Sequence, residues 1–292
     1  MKLIIISGRS GSGKSTALHV LEDLGFNCVD NLPVGLLPEL VDSVTNEARL
    51  DTQGLAVGID ARNVRKDLQR FPAILESIDQ RAVEREILFL DASNDALVKR
   101  FSETRRKHPL TDSSTGLGEA LSRETRVLAP IADLADLTID TSRASPQELR
   151  DLVKNRVVGR TGSGLSLLFR SFAFKHGVPV DADIVFDLRC LPNPYWIINL
   201  RPLTGQDAEV VSYLETQAEA QQMYDDILGF LERWLPRFEA SNRSYMTVAL
   251  GCTGGQHRSV YLTDRLGRHF SGRMQNVLVR HRDIVTEQVI EP

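Results

Sequence analysis

Eight residues near the amino terminus have the types and spacing to hold a triphosphate: Gly8, Arg9, Ser10, Gly11, Ser12, Gly13, Lys14 and Ser15. They fit G-x-x-x-x-G-K-[ST] in full. Glycines let successive backbone N–H groups turn into one concavity. A helix starting at Lys14 adds its positive end to the phosphates. In that setting Lys14 reaches the β- and γ-phosphates, and the Ser15 hydroxyl ligates Mg²⁺. The bland alternative is an ordinary glycine-rich turn between a strand and a helix. The motif and its flanks agree in full, which favours the phosphate cradle.

Such a site also wants a carboxylate at the end of a neighbouring strand. Asp91, closing the run Ile87-Leu-Phe-Leu, has that shape and is a catalytic candidate beside Lys14 and Ser15. Asp60, opening Asp60-Ala-Arg-Asn63, qualifies equally, and pattern alone does not separate the two. Either could instead cap a helix. Arg100, Arg105 and Arg106 precede a polar loop, 107–118, that has the make-up of a lid over transferring phosphates. Asp30 ends another short strand, where a small-molecule kinase places the base for an acceptor hydroxyl.

A second strand–loop–helix pattern lies near the carboxyl terminus, in Gly251-Cys252-Thr253-Gly254-Gly255-Gln256-His257-Arg258-Ser259. Its glycines and helix start aim N–H groups at one point, and Arg258 adds a planar, bidentate phosphate donor. The spacing is also Cys-x₅-Arg, so Cys252 as a phosphatase nucleophile is a further, less favoured alternative. Between His257 and Arg282 stand six arginines and three histidines, with Asp264 the one acidic residue. Arg265, His269 and Arg273 recur every four residues and would share a helix face. With Arg268, Arg280 and Arg282 they form a local basic patch suited to RNA or another phosphate-rich partner.

The elements that must position these groups are legible as periodicity. Short apolar runs at 3–6, 27–30, 55–59, 87–90 and 137–139 alternate with helical spacing at 14–24, 34–48, 64–84 (interrupted by Pro72), 94–106 and 145–157. A further helix follows the 107–118 loop. That alternation predicts βαβ units and a parallel sheet. The glycine-rich stretch 158–164 marks a boundary. Beyond it come strands at 165–172, 183–188, 245–250 and 276–279, with helices over 209–235 and 257–271. The expected fold class is α/β: a P-loop NTPase or kinase-like domain, 1–157, and a smaller α/β domain, 165–292.

The 292 residues carry a formal charge of −4, so the chain as a whole is no basic nucleic-acid binder. Three widely spaced cysteines make neither a disulfide scaffold nor a zinc site. The four-residue apolar run near the start is too short for a secretory leader. No run is long enough for a membrane span. A cytoplasmic protein without membrane association is expected.

Taken together, these motifs resemble the RapZ/YvcJ family, bacterial P-loop proteins known as RNase adapters. The resemblance covers essentially the whole length. Its carriers are Gly8–Ser15, Asp60–Asn63, Arg105–Pro109, Phe174–Pro179, Ala182–Arg189, Leu191–Pro194 and Gly251–Ser259. It implies binding and slow hydrolysis of ATP and GTP, with the first motif holding ATP and Asp60, Ala61, Arg62 and Asn63 associated with GTP. It implies a carboxyl-terminal domain that senses glucosamine-6-phosphate and binds small RNA to direct RNase E. Thr253, Gly254, Gly255, His257 and Arg258 would line that sugar-phosphate pocket, with His176 and Arg189 completing it. A homo-oligomer is expected. Adapter members carry a Lys/Arg-rich tail, whereas the residues after Arg282 are acidic and apolar.

Overall fold

The computed structural model describes residues 1–46, 53–79, 83–112, 114–158, 164–241 and 243–284. Part of the expected boundary, 159–163, lies outside them, as do positions 47–48 and 80–82 of two expected helices and the tail from 285. The chain divides into two compact units, Met1–Gly159 and Arg160–Pro292.

The first unit runs β1 Lys2–Gly8, α1 Lys14–Asp23, β2 Phe26–Val29, α2 Leu37–Asn46, β3 Gly54–Gly58, α3 Arg65–Gln69, α4 Phe71–Glu76, β4 Glu84–Asp91, α5 Asn94–Thr104, α6 Leu117–Ala132, β5 Leu137–Asp140 and α7 Pro146–Val153. All strands pair in parallel, in the order β2-β3-β1-β4-β5. β1 is central and Leu3 to Ile6 are fully buried. Helices cover both faces of such a sheet, which explains an unbroken apolar run rather than alternation. Each such side chain contributes about 1.5–3 kcal/mol by leaving water. The chain leaves β1 for β2 on one side and later crosses from β3 over β1 to β4. The reversal falls at the carboxyl end of β1, where open α/β sheets form their ligand crevice.

Two helices differ from the sequence expectation. The single helix expected over 64–84 is α3 and α4, with Pro72 in the first turn of α4. There its missing N–H breaks no helical bond. The helix expected over 145–157 is α7 followed by a π turn, Lys154–Val158. Ser145 and Glu148 start α7 with reciprocal caps.

The second unit comprises β6 Ser166–Ala173, β7 Ile184–Asp187, α8 Ala208–Glu215, α9 Ala218–Ala240, β8 Tyr245–Cys252, α10 Arg258–Ser271 and β9 Val277–His281. Its sheet is also parallel, ordered β7-β8-β6-β9. Leu167, Phe169, Val248 and Leu250 of the sheet pack with Leu231 of α9 and Leu266 and Phe270 of α10. A buried ion pair, Arg170–Asp181 at 2.6 Å, fixes the segment leading to β7.

Candidate functional site

The loop from Gly8 to Gly13 joins the end of β1 to α1 and borders a cavity of about 580 Å³. Gly8 adopts φ 147° and Gly13 φ 105°, a region closed to most side chains. A Cβ on Gly8 would lie 2.2 Å from the Leu90 carbonyl oxygen, and one on Gly13 2.5 Å from Leu149 Cδ2. α1 begins with no side-chain cap, so its first amides keep their hydrogens for a ligand. Ser10, Gly11, Ser12, Gly13, Lys14, Ser15 and Thr16 all line the cavity.

The Lys14 ammonium donates to the carbonyls of Gly8 (2.7 Å) and Arg9 (3.2 Å). Burial pushes its pKa down, while the carboxylates of Glu124, Asp60 and Asp30 pull it back up. Ser15 leaves its hydroxyl exposed on the first turn of α1. Among the described residues no group of three His, Cys, Asp or Glu side chains could hold a metal unaided. That donor set fits Mg²⁺, which keeps waters and takes one or two protein oxygens plus substrate phosphates.

Asp91 ends β4 and Asp60 lies two residues past β3, on either side of β1, and their surroundings differ. Asp60 lines the cavity with Asp30 and Arg62. Asp91, the other expected carboxylate, lies outside that lining. Its Oδ1 lies 3.6 Å from the Arg9 guanidinium and accepts from the Ala92 amide. Burial pushes the Asp91 carboxyl up, opposed by that amide and by Arg9. Arg9 is itself buried, donating to the Ala92 carbonyl and Asn94 Oδ1, and so braces the loop from behind.

The segment expected to serve GTP divides by side chain. Asp60 and Arg62 face the cavity as a paired carboxylate and guanidinium, Nε to Oδ2 at 2.8 Å. Ala61 is core. Asn63 clips a distant turn, accepting from the Val34 amide (2.7 Å) and donating to the Leu32 carbonyl (3.2 Å).

One site residue escaped the sequence reading. Glu124 of α6 is fully buried beneath the phosphate loop. Its carboxylate accepts from the Ser10 amide (3.0 Å) and the Ser10 hydroxyl (2.6 Å), and it meets His108 Nε2 at 3.1 Å. Burial drives this carboxyl upward, and the hydrogen bonds from His108 and Ser10 more than reverse it, leaving it below the usual range. The signal was phase: position 124 falls in the buried series Leu121, Glu124, Leu128, Ile131 of an amphipathic helix.

Across the cavity stand Arg100, Arg106 and Lys107. Arg100 is committed to the fold, bonded to the Gly11 carbonyl and to both oxygens of Thr141. Arg106 and Lys107 are exposed, and among the described residues neither makes an ion pair. Arg105, just before them, caps α5 in the left-handed region at φ 52° and lies outside the lining.

In the second unit, β8 runs into the loop Thr253–His257 and then α10. Arg258 is buried at the first turn of α10. Its Nη1 donates to the carbonyls of Arg189 (3.0 Å) and Leu191 (2.9 Å), and its Nη2 lies 3.4 Å from Thr253 Oγ1. Arg189 stacks over Phe174 at 4.0 Å and pairs with Asp187. His257 is buried with Nε2 at the Leu200 carbonyl, and burial lowers its pKa toward the neutral ring. Gly254 faces open space. A Cβ on Gly255 would lie 2.9 Å from Asp283 Cβ, and Asp283 holds His176 at 2.7 Å. The structure therefore brings Thr253, Gly255, Arg258, His176 and Arg189 around one loop, while His257 points to the core. Cys252 is buried, with Sγ 3.1 Å from the Ser259 hydroxyl.

The basic stripe is less available than its spacing implied. α10 ends at Ser271, so Arg273 lies beyond the helix. His269 and Arg273 both meet Glu232 of α9. Arg265 stacks on Tyr224 at 3.8 Å and bonds the Tyr261 hydroxyl. Arg282 caps the carbonyls of Ala173 and Gly177. Arg268 and Arg280 remain exposed, each bonded only to a nearby main-chain carbonyl among the described residues.

Both units match one family. Residues 1–161 match the RapZ-like N-terminal domain and residues 165–285 the RapZ C-terminal domain. The chain belongs to the RapZ family. Full-length RapZ-family relatives include a nucleotide-binding protein of Cellvibrio japonicus, 58% identical over 99% of this chain and 97% of its own. A nucleotide-binding protein of Ectopseudomonas mendocina is 56% identical over 97% of this chain and 100% of its own. Among solved structures, an unliganded sugar kinase from Janibacter sp. HTCC2649 aligns at TM-score 0.37 and 17% identity, over 53% of this chain and 92% of that one. A shikimate kinase from Bacteroides thetaiotaomicron aligns at TM-score 0.33 and 15% identity, over 52% and 98%. Among the described residues no helix is long and apolar enough to cross a membrane.

Proposed function

We propose that the first unit binds one purine nucleoside triphosphate with Mg²⁺ and hydrolyses it slowly. The observation that carries this reading is the single cavity lined at once by the phosphate loop, Lys14, Ser15, Asp60 and Arg62. The loop amides and the Lys14 ammonium take the phosphates, the Ser15 hydroxyl takes the metal, and Asp60 orients the metal's water shell. Mg²⁺ supplies charge neutralisation at the β- and γ-oxygens. ATP and GTP then share one site, because Asp60 and Arg62 stand in the same cavity as the loop. Calorimetric titration with magnesium and either nucleotide should give one site per chain, and saturation with one should abolish the heat of the other. Simultaneous binding of both would refute the shared site.

The second unit we read as the sensor of a phosphorylated amino-sugar such as glucosamine-6-phosphate, bound at Thr253–Gly255 with Arg258, Arg189 and His176. Support comes from the open Gly254 and the cations gathered on that loop. Arg258→Lys keeps the charge and loses the planar fork. Affinity for glucosamine-6-phosphate should fall about tenfold, with the melting temperature as a control on folding. Unchanged affinity in a folded variant would remove Arg258 from the site.

Small-RNA binding that directs RNase E is the regulatory output of this reading. Arg268 and Arg280 are its strongest candidates, since the other arginines are engaged within the fold. Binding should weaken steeply with salt. It should fall more for Arg268→Ala with Arg280→Ala than for changes at Arg265, Arg273 or Arg282. Salt-insensitive RNA binding, or the reverse ranking, would count against it.

A further inference from the structure

We propose that the first unit is a phosphotransferase: the cavity facing the phosphate loop admits a small anionic hydroxyl compound, and Asp30 takes the proton of the attacking hydroxyl. The inference rests on the triphosphate reading of the loop and goes beyond it, to an acceptor other than water. Three observations carry it.

Asp30 directly follows β2, is solvent-exposed, and lines the same cavity as Lys14 and Ser15. Its placement is built into the sheet. Gly58, at the end of β3, has no side chain where a Cβ would stand 2.7 Å from Asp30 Oδ1 and 3.0 Å from Leu18 Cδ1. Any larger residue at 58 would push the carboxylate away.

Backbone strain brackets the cavity. Among the described residues two that are not glycine take positive φ, Asn31 at 53° and Arg105 at 52°. Asn31 directly follows Asp30, and its amide donates to Asp30 Oδ1 at 2.8 Å. Arg105 directly precedes Arg106 and Lys107. Strained backbone of this kind gathers at functional sites, where the surroundings over-determine it. Here the two left-handed residues adjoin the cavity-lining carboxylate on one segment and the cavity-lining cations on another.

The charges assign roles. Asp60 already serves the metal side, so a second carboxylate facing the same loop is surplus to nucleotide binding. Lys14 and Arg100 face the loop itself. Arg106 and Lys107 lack carboxylate partners among the described residues, which leaves them to grip an anionic group on the acceptor.

The step balances. The acceptor's hydroxyl oxygen bonds to the γ-phosphorus as the bond from that phosphorus to the β,γ-bridging oxygen breaks. The hydroxyl proton passes to Asp30, and the nucleoside diphosphate leaves. Water entering in place of the acceptor gives the slow hydrolysis.

The test uses the full chain, magnesium, γ-labelled ATP and the low-molecular-mass filtrate of the cells the protein comes from, split by anion exchange. Label should appear in an acid-stable phosphoester, with acceptor activity in the retained fraction. Asp30→Asn keeps the Asn31 hydrogen bond and should cut transfer and hydrolysis about 100-fold. Its nucleotide affinity by calorimetry should stay within about threefold of wild type. Gly58→Ala, which displaces the carboxylate without removing it, should lower both rates with the nucleotide still bound. Label passing only to orthophosphate with every fraction, or Asp30→Asn turning over at the wild-type rate, would overturn the proposal with nucleotide binding intact. Acceptor activity confined to the unretained fraction would overturn the anionic class. Absence of ATP binding by the wild type would overturn the triphosphate reading and this proposal with it.

Discussion

Lys14→Ala is expected to cut hydrolysis of ATP and GTP about 10²–10³-fold, the loss typical of removing one preorganised charge from a developing anion. The ammonium now satisfies the Gly8 and Arg9 carbonyls from the rim of the loop. It has a third N–H for a phosphate oxygen. Burial makes that charge costly, and three carboxylates hold it in place. Removing it leaves the loop amides but no mobile cation to follow the γ-phosphate through the reaction. Glucosamine-6-phosphate binding by the second unit should stay unchanged within about twofold, because the two sites lie in separate compact units. Steady-state release of orthophosphate and calorimetry on the same preparation decide it. Hydrolysis surviving at the wild-type rate would mean that the loop does not hold the reacting phosphate.

Glu124→Ala should be the most destabilising single change near the site. It strands the Ser10 amide, the Ser10 hydroxyl and His108, all three of which point at one buried carboxylate. Breaking such a network costs about 3 kcal/mol. In a unit of this size that lowers the melting temperature by about 6–12 °C. The phosphate loop would also lose its tether to α6, so nucleotide affinity should fall with stability. Glu124→Gln keeps an acceptor for Ser10 and should cost less.

Acid sensitivity provides a separate check on Glu124. The folded carboxyl titrates below its ordinary value, so its stabilisation is complete above the unfolded pKa of about 4.3. That contribution is lost as pH falls through the lower folded value. The glutamine variant should therefore show a shallower loss of stability below about pH 4 than wild type. Parallel acid limbs in the two proteins, or an alanine variant melting with wild type, would discard the tether.

The phosphate loop was readable from sequence because its whole geometry is local: one strand, six loop residues and one helix start. The buried strands were readable because apolar runs too short for helices have few other uses in an alternating chain. The choice between Asp60 and Asp91 was hidden because each lies at or just past the end of a strand paired with β1, one on each side. What differs is the surroundings of each side chain, Asp60 beside the cavity and Asp91 beside Arg9 and the Ala92 amide. Asn63 was hidden for another reason, since the turn it clips lies about thirty residues away. The arginine stripe was only partly legible. Its four-residue period was visible, but neither Glu232 and Tyr224 on α9 nor the stop at Ser271 could be weighed without the packing.

The close approach of positions 30 and 58 also constrains descent. A methyl at 58 would displace the carboxylate at 30, so the two positions are coupled although 28 residues separate them. A lineage that gives up the acid is released from that constraint at 58. Within the family, a side chain at 58 should therefore accompany a shifted or absent carboxylate at 30.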